Sequence, residues 1–160
     1  MILIDNDVLN LDTCDLLKNL AIKNKHLALP FRDIHTLILK ELDSRLAKSL
    51  GAYLTSYLGS KGMSLYPELM QLTLWEKDSK QDMHFDNARE TTELTSITYL
   101  NDDFDGGETY FEKGLIIKPE KGKTIFFDGK RYLHGVKPLE NNPRYVMAIW
   151  YTSDINYINI

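Results

Sequence analysis

Apolar positions along the chain change their period once, near residue 66. Before that point they recur at three- and four-residue steps, and after it they alternate in short runs. Residues 1 to about 10 open as a short apolar strand followed by a polar turn. Asp12 or Thr13 then caps a helix that carries Leu16, Leu17 and Leu20 and fades at Lys23-Asn24-Lys25. Pro30 interrupts the chain, and Asp33 is placed to start a second helix. There Ile34, Leu37, Ile38, Leu42, Leu46, Leu50, Tyr53, Leu54 and Tyr57 make one stripe, with Lys40, Glu41, Asp43, Arg45 and Lys48 mostly opposite. Such a stripe has to be covered, and one face of a sheet would cover it. Gly59, Gly62 and Pro67 mark the loop that ends it.

The second half reads as strands. Leu69 to Glu76 alternates, and the polar loop 77–82 leads to Met83-His84-Phe85-Asp86. Leu94 to Asn101, Thr109 to Glu112, Leu115 to Lys118, Lys123 to Phe127, Tyr132 to Val136 and Arg144 to Thr152 follow as further strands. Asp128-Gly129 is a hairpin signal between two of them. The acidic stretch 102–107 is a turn in which Gly106 and Gly107 permit positive φ. Its Asp102, Asp103 and Asp105 lack the spacing of a calcium loop and read as solvated. Many short strands with regular turns predict two sheets closed as a jelly roll. The expected fold class is α+β, mainly β, in one domain over 1–160: helical buttress 1–66, jelly-roll core 67–152, and a tail 153–160 that is an edge strand or loose.

Composition adds exclusions. A chain of 160 residues is long enough for one real core. The formal net charge of -4 and the lack of a Lys/Arg run argue against nucleic acid as a general partner. The start has no basic region followed by a long apolar run, so no signal peptide is expected. No apolar run approaches the roughly 20 residues that span a bilayer. Cys14, the only cysteine, rules out an internal disulfide and a Cys-rich zinc site. It reads as a small packed helix residue, and the expected location is the cytoplasm. The sequence leaves the oligomeric state open.

The candidate chemistry lies in the strand half. His84 and Asp86, with the distant His134, supply two imidazoles and one carboxylate, the donor set of a mononuclear non-haem Fe(II) site. On a strand, His84 and Asp86 would share a face while Phe85 points the other way. A lone His-x-Asp arises easily by chance. The added weight comes from its setting among strands and from Arg144, on the strand after His134. His26 and His35 read as surface or helix-end residues.

The run from Met83 to Trp150 resembles the Fe(II)/2-oxoglutarate-dependent oxygenase superfamily, in particular its prolyl 4-hydroxylase-like branch. The pieces that carry the resemblance occur in order: His84-Phe85-Asp86, Tyr99-Leu100-Asn101, Gly106-Gly107-Glu108-Thr109-Tyr110-Phe111, Lys118-Pro119 with Lys121-Gly122, Phe126-Phe127, His134-Gly135-Val136, and Arg144 leading to Trp150. It implies a double-stranded β-helix buttressed by N-terminal helices. It also implies that His84, Asp86 and His134 ligate iron, that Arg144 pairs with the distal carboxylate of 2-oxoglutarate, and that Thr109 hydrogen-bonds this co-substrate. Tyr99 is a further hydroxyl candidate if its ring faces inward. The branch commonly has lysine where Arg144 stands, and the planar guanidinium suits a carboxylate equally well. Trp75 occupies a position where several prolyl hydroxylases have a tyrosine that reaches 2-oxoglutarate. An indole donates but cannot accept, so Trp75 is expected to pack.

The implied reaction uses Fe(II), 2-oxoglutarate and O2, with ascorbate as a candidate reductant. It hydroxylates an unactivated C–H, with peptidyl proline as the leading substrate, and releases succinate and carbon dioxide. The segment 87–93 is short where prolyl hydroxylases often carry longer substrate-covering loops, which keeps a free amino acid or other small molecule as the alternative. Nucleic-acid demethylation ranks third on charge. From a different class comes a jelly roll that binds a metal without turnover, though such a module would not need Arg144 as a carboxylate anchor.

Overall fold

A computed structural model of all 160 residues places the elements in the order β1 (Ile2–Asp5), α1 (Leu11–Lys23), β2 (Leu29–Phe31), β3 (Ile34–Ile38), α2 (Leu39–Leu42), α3 (Ser44–Ser60), β4 (Tyr66–Trp75), β5 (Gln81–His84), β6 (Thr92–Tyr99), β7 (Thr109–Phe111), β8 (Ile116–Ile117), β9 (Thr124–Phe127), β10 (His134–Val136) and β11 (Arg144–Thr152). A seven-stranded sheet runs β1-β9-β6-β11-β4-β3-β2, and a four-stranded sheet runs β5-β10-β7-β8. Every pairing is antiparallel. The expected jelly roll with helices on one side is what the chain forms.

Strand alternation sorts β11 into two functions. Tyr145, Met147, Ile149 and Tyr151 join the core beneath the helices, while Arg144, Val146, Ala148 and Trp150 line a cavity on the other face. Its partner β4 divides the same way: Met70, Leu72 and Leu74 face the helices, and Gln71, Thr73 and Trp75 face the cavity. From α3, Leu50, Leu54 and Leu58 fill the helix side, so a sheet face does cover the α3 stripe. Cys14 is buried in α1, as expected. A second core of Tyr99, Phe111, Ile117, Ile125, Phe127 and Val146 includes residues of both sheets and sits behind the cavity. No helix is long and apolar enough to cross a membrane.

Several boundaries differ from expectation. The helix expected from Asp33 begins instead as strand β3, paired with β4 from Ile34↔Trp75 to Ile38↔Gln71. Its three- and four-residue spacing also fits a β-branched strand: Ile34 and Thr36 turn to the cavity, while Leu37 joins the helix-side core. Pro30 lies in β2, at the sheet edge, where its missing N–H costs no ladder bond. Helix α3 starts only after Asp43, whose Oδ1 accepts from the Leu46 N–H at 2.9 Å. The cap of α1 is Asn10, accepting from the Thr13 N–H at 2.7 Å, and neither Asp12 nor Thr13. His35 consequently sits on a strand, and His26 in a short 3-10 turn, Lys25–Leu27.

Asp128-Gly129 makes no hairpin. It carries the chain from β9 in the large sheet to β10 in the small one. The tail is neither an edge strand nor loose, since Ile155–Tyr157 is a 3-10 turn and Ile160 packs against the core.

Candidate active site

His84 ends β5 and His134 begins β10, and the two residues are direct cross-strand partners. Their ring centres stand 4.5 Å apart. Asp86 lies just beyond β5, fixed by its backbone N–H donating to the Gly129 carbonyl at 2.8 Å. One ligand atom from each of His84, Asp86 and His134 falls within 4.8 Å of the others. Phe85, between them, is half exposed at the cavity rim.

Each imidazole uses Nδ1 in the same way. His84 Nδ1 meets the Asp82 carbonyl at 2.8 Å, and His134 Nδ1 meets the Tyr132 carbonyl at 2.9 Å. A carbonyl only accepts, so Nδ1 carries a proton and Nε2 is the nitrogen left to meet a ligand. Burial pulls the His84 pKa below its ordinary value, which favours the neutral, metal-ready ring. Burial alone would push the Asp86 carboxyl up. His134, with donation from Thr95 and Trp150, outweighs it and holds the group below the usual carboxylate range. Once a metal takes the place of any proton on His134 Nε2, two imidazoles and one ionised carboxylate make the donor set that suits Fe(II) with positions left open.

Arg144 opens β11 and is 1% exposed. Its guanidinium lies over Trp75 and Tyr99, with ring centres 4.6 Å and 5.2 Å away. Nη2 reaches Thr109 Oγ1 at 3.4 Å, while Nε and Nη1 have no partner at all. An unpaired buried guanidinium is costly, so this pocket fits an anion that the protein does not supply. Burial pulls the Arg144 pKa down and Tyr99 opposes it, but an arginine side chain stays protonated.

His84, Asp86, His134 and Arg144 all line one cavity of about 480 Å³. Thr109 and Tyr99 do not line it. Both are fully buried behind Arg144, with their hydroxyl groups 2.6 Å apart. Trp75 packs as expected, and its indole N–H is spent on Thr73 Oγ1 at 3.0 Å. Sequence reasoning missed Thr95 and Trp150, whose side chains both donate to Asp86 Oδ2, at 2.7 Å and 3.2 Å. Trp150 lies six residues past Arg144, an even spacing that puts both on the cavity face of one strand, so its signal was present. Thr95 had none. The Asp102, Asp103 and Asp105 side chains are exposed, as a solvated turn should be.

Residues 70–152 match the family model described as the 2OG-Fe(II) oxygenase superfamily. Among curated proteins, the mouse prolyl 3-hydroxylase 2 is 38% identical over 72 residues, covering 41% of this chain and 10% of that protein. The chain thus spans a small fraction of the curated relatives it matches. Among solved structures, the viral collagen prolyl hydroxylase of Paramecium bursaria Chlorella virus-1 superposes with a TM-score of 0.73 at 22% identity, covering 96% of both chains. A Pseudomonas putida prolyl-4-hydroxylase gives 0.72 at 17%, over 96% of this chain and 92% of that one.

Proposed function

The chain belongs to the 2OG-Fe(II) oxygenase superfamily, and from that premise we propose that it is a 2-oxoglutarate-dependent Fe(II) dioxygenase that hydroxylates a prolyl residue within a peptide, releasing succinate and carbon dioxide. One observation carries the reading. A His–Asp–His cluster shares its cavity with a buried arginine whose Nε and Nη1 are unpartnered.

In this reading His84 and His134, through Nε2, and Asp86, through its carboxylate, would hold Fe(II). Arg144 would take the distal carboxylate of 2-oxoglutarate in a two-pronged contact. Bound iron with its 2-oxo acid supplies the oxidation of an unactivated C–H by O2. The remaining work falls to the chain. Trp75 and Tyr99 flank the guanidinium and fix its plane, and Thr109 holds Nη2, leaving the other nitrogens aimed at the co-substrate. Ile34, Val136 and Val146 make that end of the cavity apolar, which keeps water out and strengthens the ionic contact.

The peptide substrate is supported by the exposed Phe31 and Phe85 at the cavity rim, an apolar surface that a free amino acid would not need. The three similar proteins described above are named as prolyl hydroxylases, which points the same way.

Succinate formation by the purified protein with Fe(II), 2-oxoglutarate and O2 tests the class, with Arg144→Ala as control. Iron-dependent succinate that disappears in the control is the expected result. A wild-type protein that forms no succinate and binds no 2-oxoglutarate without oxygen would overturn it. Mass spectrometry of proline-containing peptides against free proline tests the substrate, and fragment spectra read which ring carbon gains the oxygen.

A further inference from the structure

The two carboxylate oxygens of Asp86 are not equivalent. Oδ2 accepts from both Thr95 Oγ1, at 2.7 Å, and Trp150 Nε1, at 3.2 Å. Oδ1 faces the other way and stands 3.4 Å from His134 Nε2. Behind the carboxylate is Gly129, where an added Cβ would lie 1.9 Å from Oδ2 and 2.6 Å from the carboxyl carbon. The same Gly129 takes the Asp86 backbone N–H on its carbonyl. Its φ is not positive, so backbone conformation does not demand glycine here. Space for the carboxylate does.

From this geometry we infer that Thr95, Trp150 and Gly129 form a clamp that presents Asp86 to the metal through Oδ1 alone. They are positioning residues, acting only through Asp86. The inference rests on the reading of His84, Asp86 and His134 as metal ligands. Its consequence concerns open coordination positions. Three single-atom ligands on a six-coordinate ion leave three positions, enough for a 2-oxo acid held by two atoms and for O2. A carboxylate free to swing would add Oδ2 to the metal and close one of them. The clamp spends Oδ2 on two protein donors, so it is unavailable to the ion. Thr95 and Trp150 belong to neighbouring strands, β6 and β11, and are direct cross-strand partners, so the sheet itself sets the clamp's width. Gly129 adds the third side, because the loop from β9 to β10 passes against the carboxylate.

Co(II) binding to the full chain, followed by calorimetry and by the visible absorption of the bound ion with and without 2-oxoglutarate, tests the clamp without turnover. Thr95→Val and Trp150→Phe should each weaken Co(II) by about 10-fold, as loss of an outer partner of a ligand typically does. Each should also alter the absorption spectrum, since the carboxylate becomes free to bind by both oxygens. Thr95→Ser, which keeps the hydroxyl, should restore affinity and spectrum, a rescue that mere packing would not give. Gly129→Ala should cost at least as much as either. If Thr95→Val and Trp150→Phe bind Co(II) with wild-type affinity and spectrum, the clamp is wrong while the ligand reading stands. If the wild-type protein binds no Co(II), ligand reading and clamp fall together.

Discussion

Arg144 and Trp75 are cross-strand partners on β11 and β4, and the guanidinium lies over the indole with 4.6 Å between its carbon and the ring centre. The pairing substitutes an aromatic face for the carboxylate that a buried arginine ordinarily finds. A ring attracts the cation without using its N–H groups. Arg144 is therefore held in place while Nε and Nη1 stay unspent.

Holding a charge this way costs stability. Replacing buried charges with apolar groups of similar volume is often neutral or stabilising by about 1–4 kcal/mol. The lost contact with the rings offsets part of that, by about 1 kcal/mol. Arg144→Met is therefore expected to unfold at higher urea than the wild type when 2-oxoglutarate is absent. With Co(II) present, 2-oxoglutarate at 100 times its dissociation constant should stabilise the wild type by about 2.7 kcal/mol and the variant hardly at all. A variant less stable than the wild type without ligand would show that the guanidinium is better satisfied than its contacts indicate.

Trp75 serves as a platform, because its N–H is already committed to Thr73. Trp75→Phe keeps an aromatic face under Arg144 and should change 2-oxoglutarate affinity by less than about 3-fold. Trp75→Ala removes the face and leaves a cavity, so affinity should fall by about 10-fold, within the range of a cation–ring contact. Stability should drop by about 3 kcal/mol. Anaerobic titration and urea unfolding read the two effects. Equal losses of affinity in both variants would instead assign the indole N–H to the co-substrate.

Metal binding should tie the neighbouring strands β5 and β10 together at the site. His84 is half-buried at the end of β5, so His84→Ala is expected to leave the metal-free protein's unfolding midpoint within about 0.5 kcal/mol of wild type. The wild type should gain stability on adding Co(II), and the variant should not. Thermal unfolding with and without chelator distinguishes them, and a variant that keeps the full metal-dependent gain would remove His84 from the ligand set.

What the sequence disclosed follows from which forces act locally. Strands β4, β6 and β11 were legible because alternate faces meet different surroundings, and the triad was legible because its chemistry needs those residue types. Strand β3 was not, since Ile34, Leu37 and Ile38 satisfy a helical period as well as a strand's, and only pairing with β4 decides between them. The role of Gly129 was hidden for the same reason. Asp128-Gly129 has the composition of a hairpin, and nothing nearby in sequence shows that the carboxylate of Asp86, 43 positions earlier, fills the space of its missing Cβ. Thr109 was placed at the co-substrate by resemblance, and Tyr99 was a hydroxyl candidate only if its ring faced inward; both stand behind Arg144, which Thr109 contacts.

A contact far from the site sets an acid limit on stability. Tyr57, on α3, donates its hydroxyl to Asp5 Oδ2 at 2.5 Å, tying the helix to β1, and Lys61 Nζ stands 3.7 Å from the same oxygen. The Tyr57 hydroxyl and the Asp7 backbone N–H hold the Asp5 carboxyl below its usual range, while burial and Asp5 push the Tyr57 phenol well up. A depressed carboxyl binds fewer protons in the folded state than in the unfolded one. Its stabilisation is present above the unfolded value of about 3.9 and is lost as pH falls through the folded value. A raised phenol acts oppositely: its stabilisation is complete below about 10 and fades only as pH rises through its folded value. Neutral pH lies on the plateau between them. Asp5→Asn keeps an acceptor for Tyr57 but removes the charge, so it should lose about 1 kcal/mol at pH 7. That gap should shrink as pH drops from 5 toward 3, because protonation brings the wild type to the same state. Urea unfolding at stepped pH measures it, and a gap that stays constant across the acid range would mean that the Asp5 charge contributes nothing to the tie.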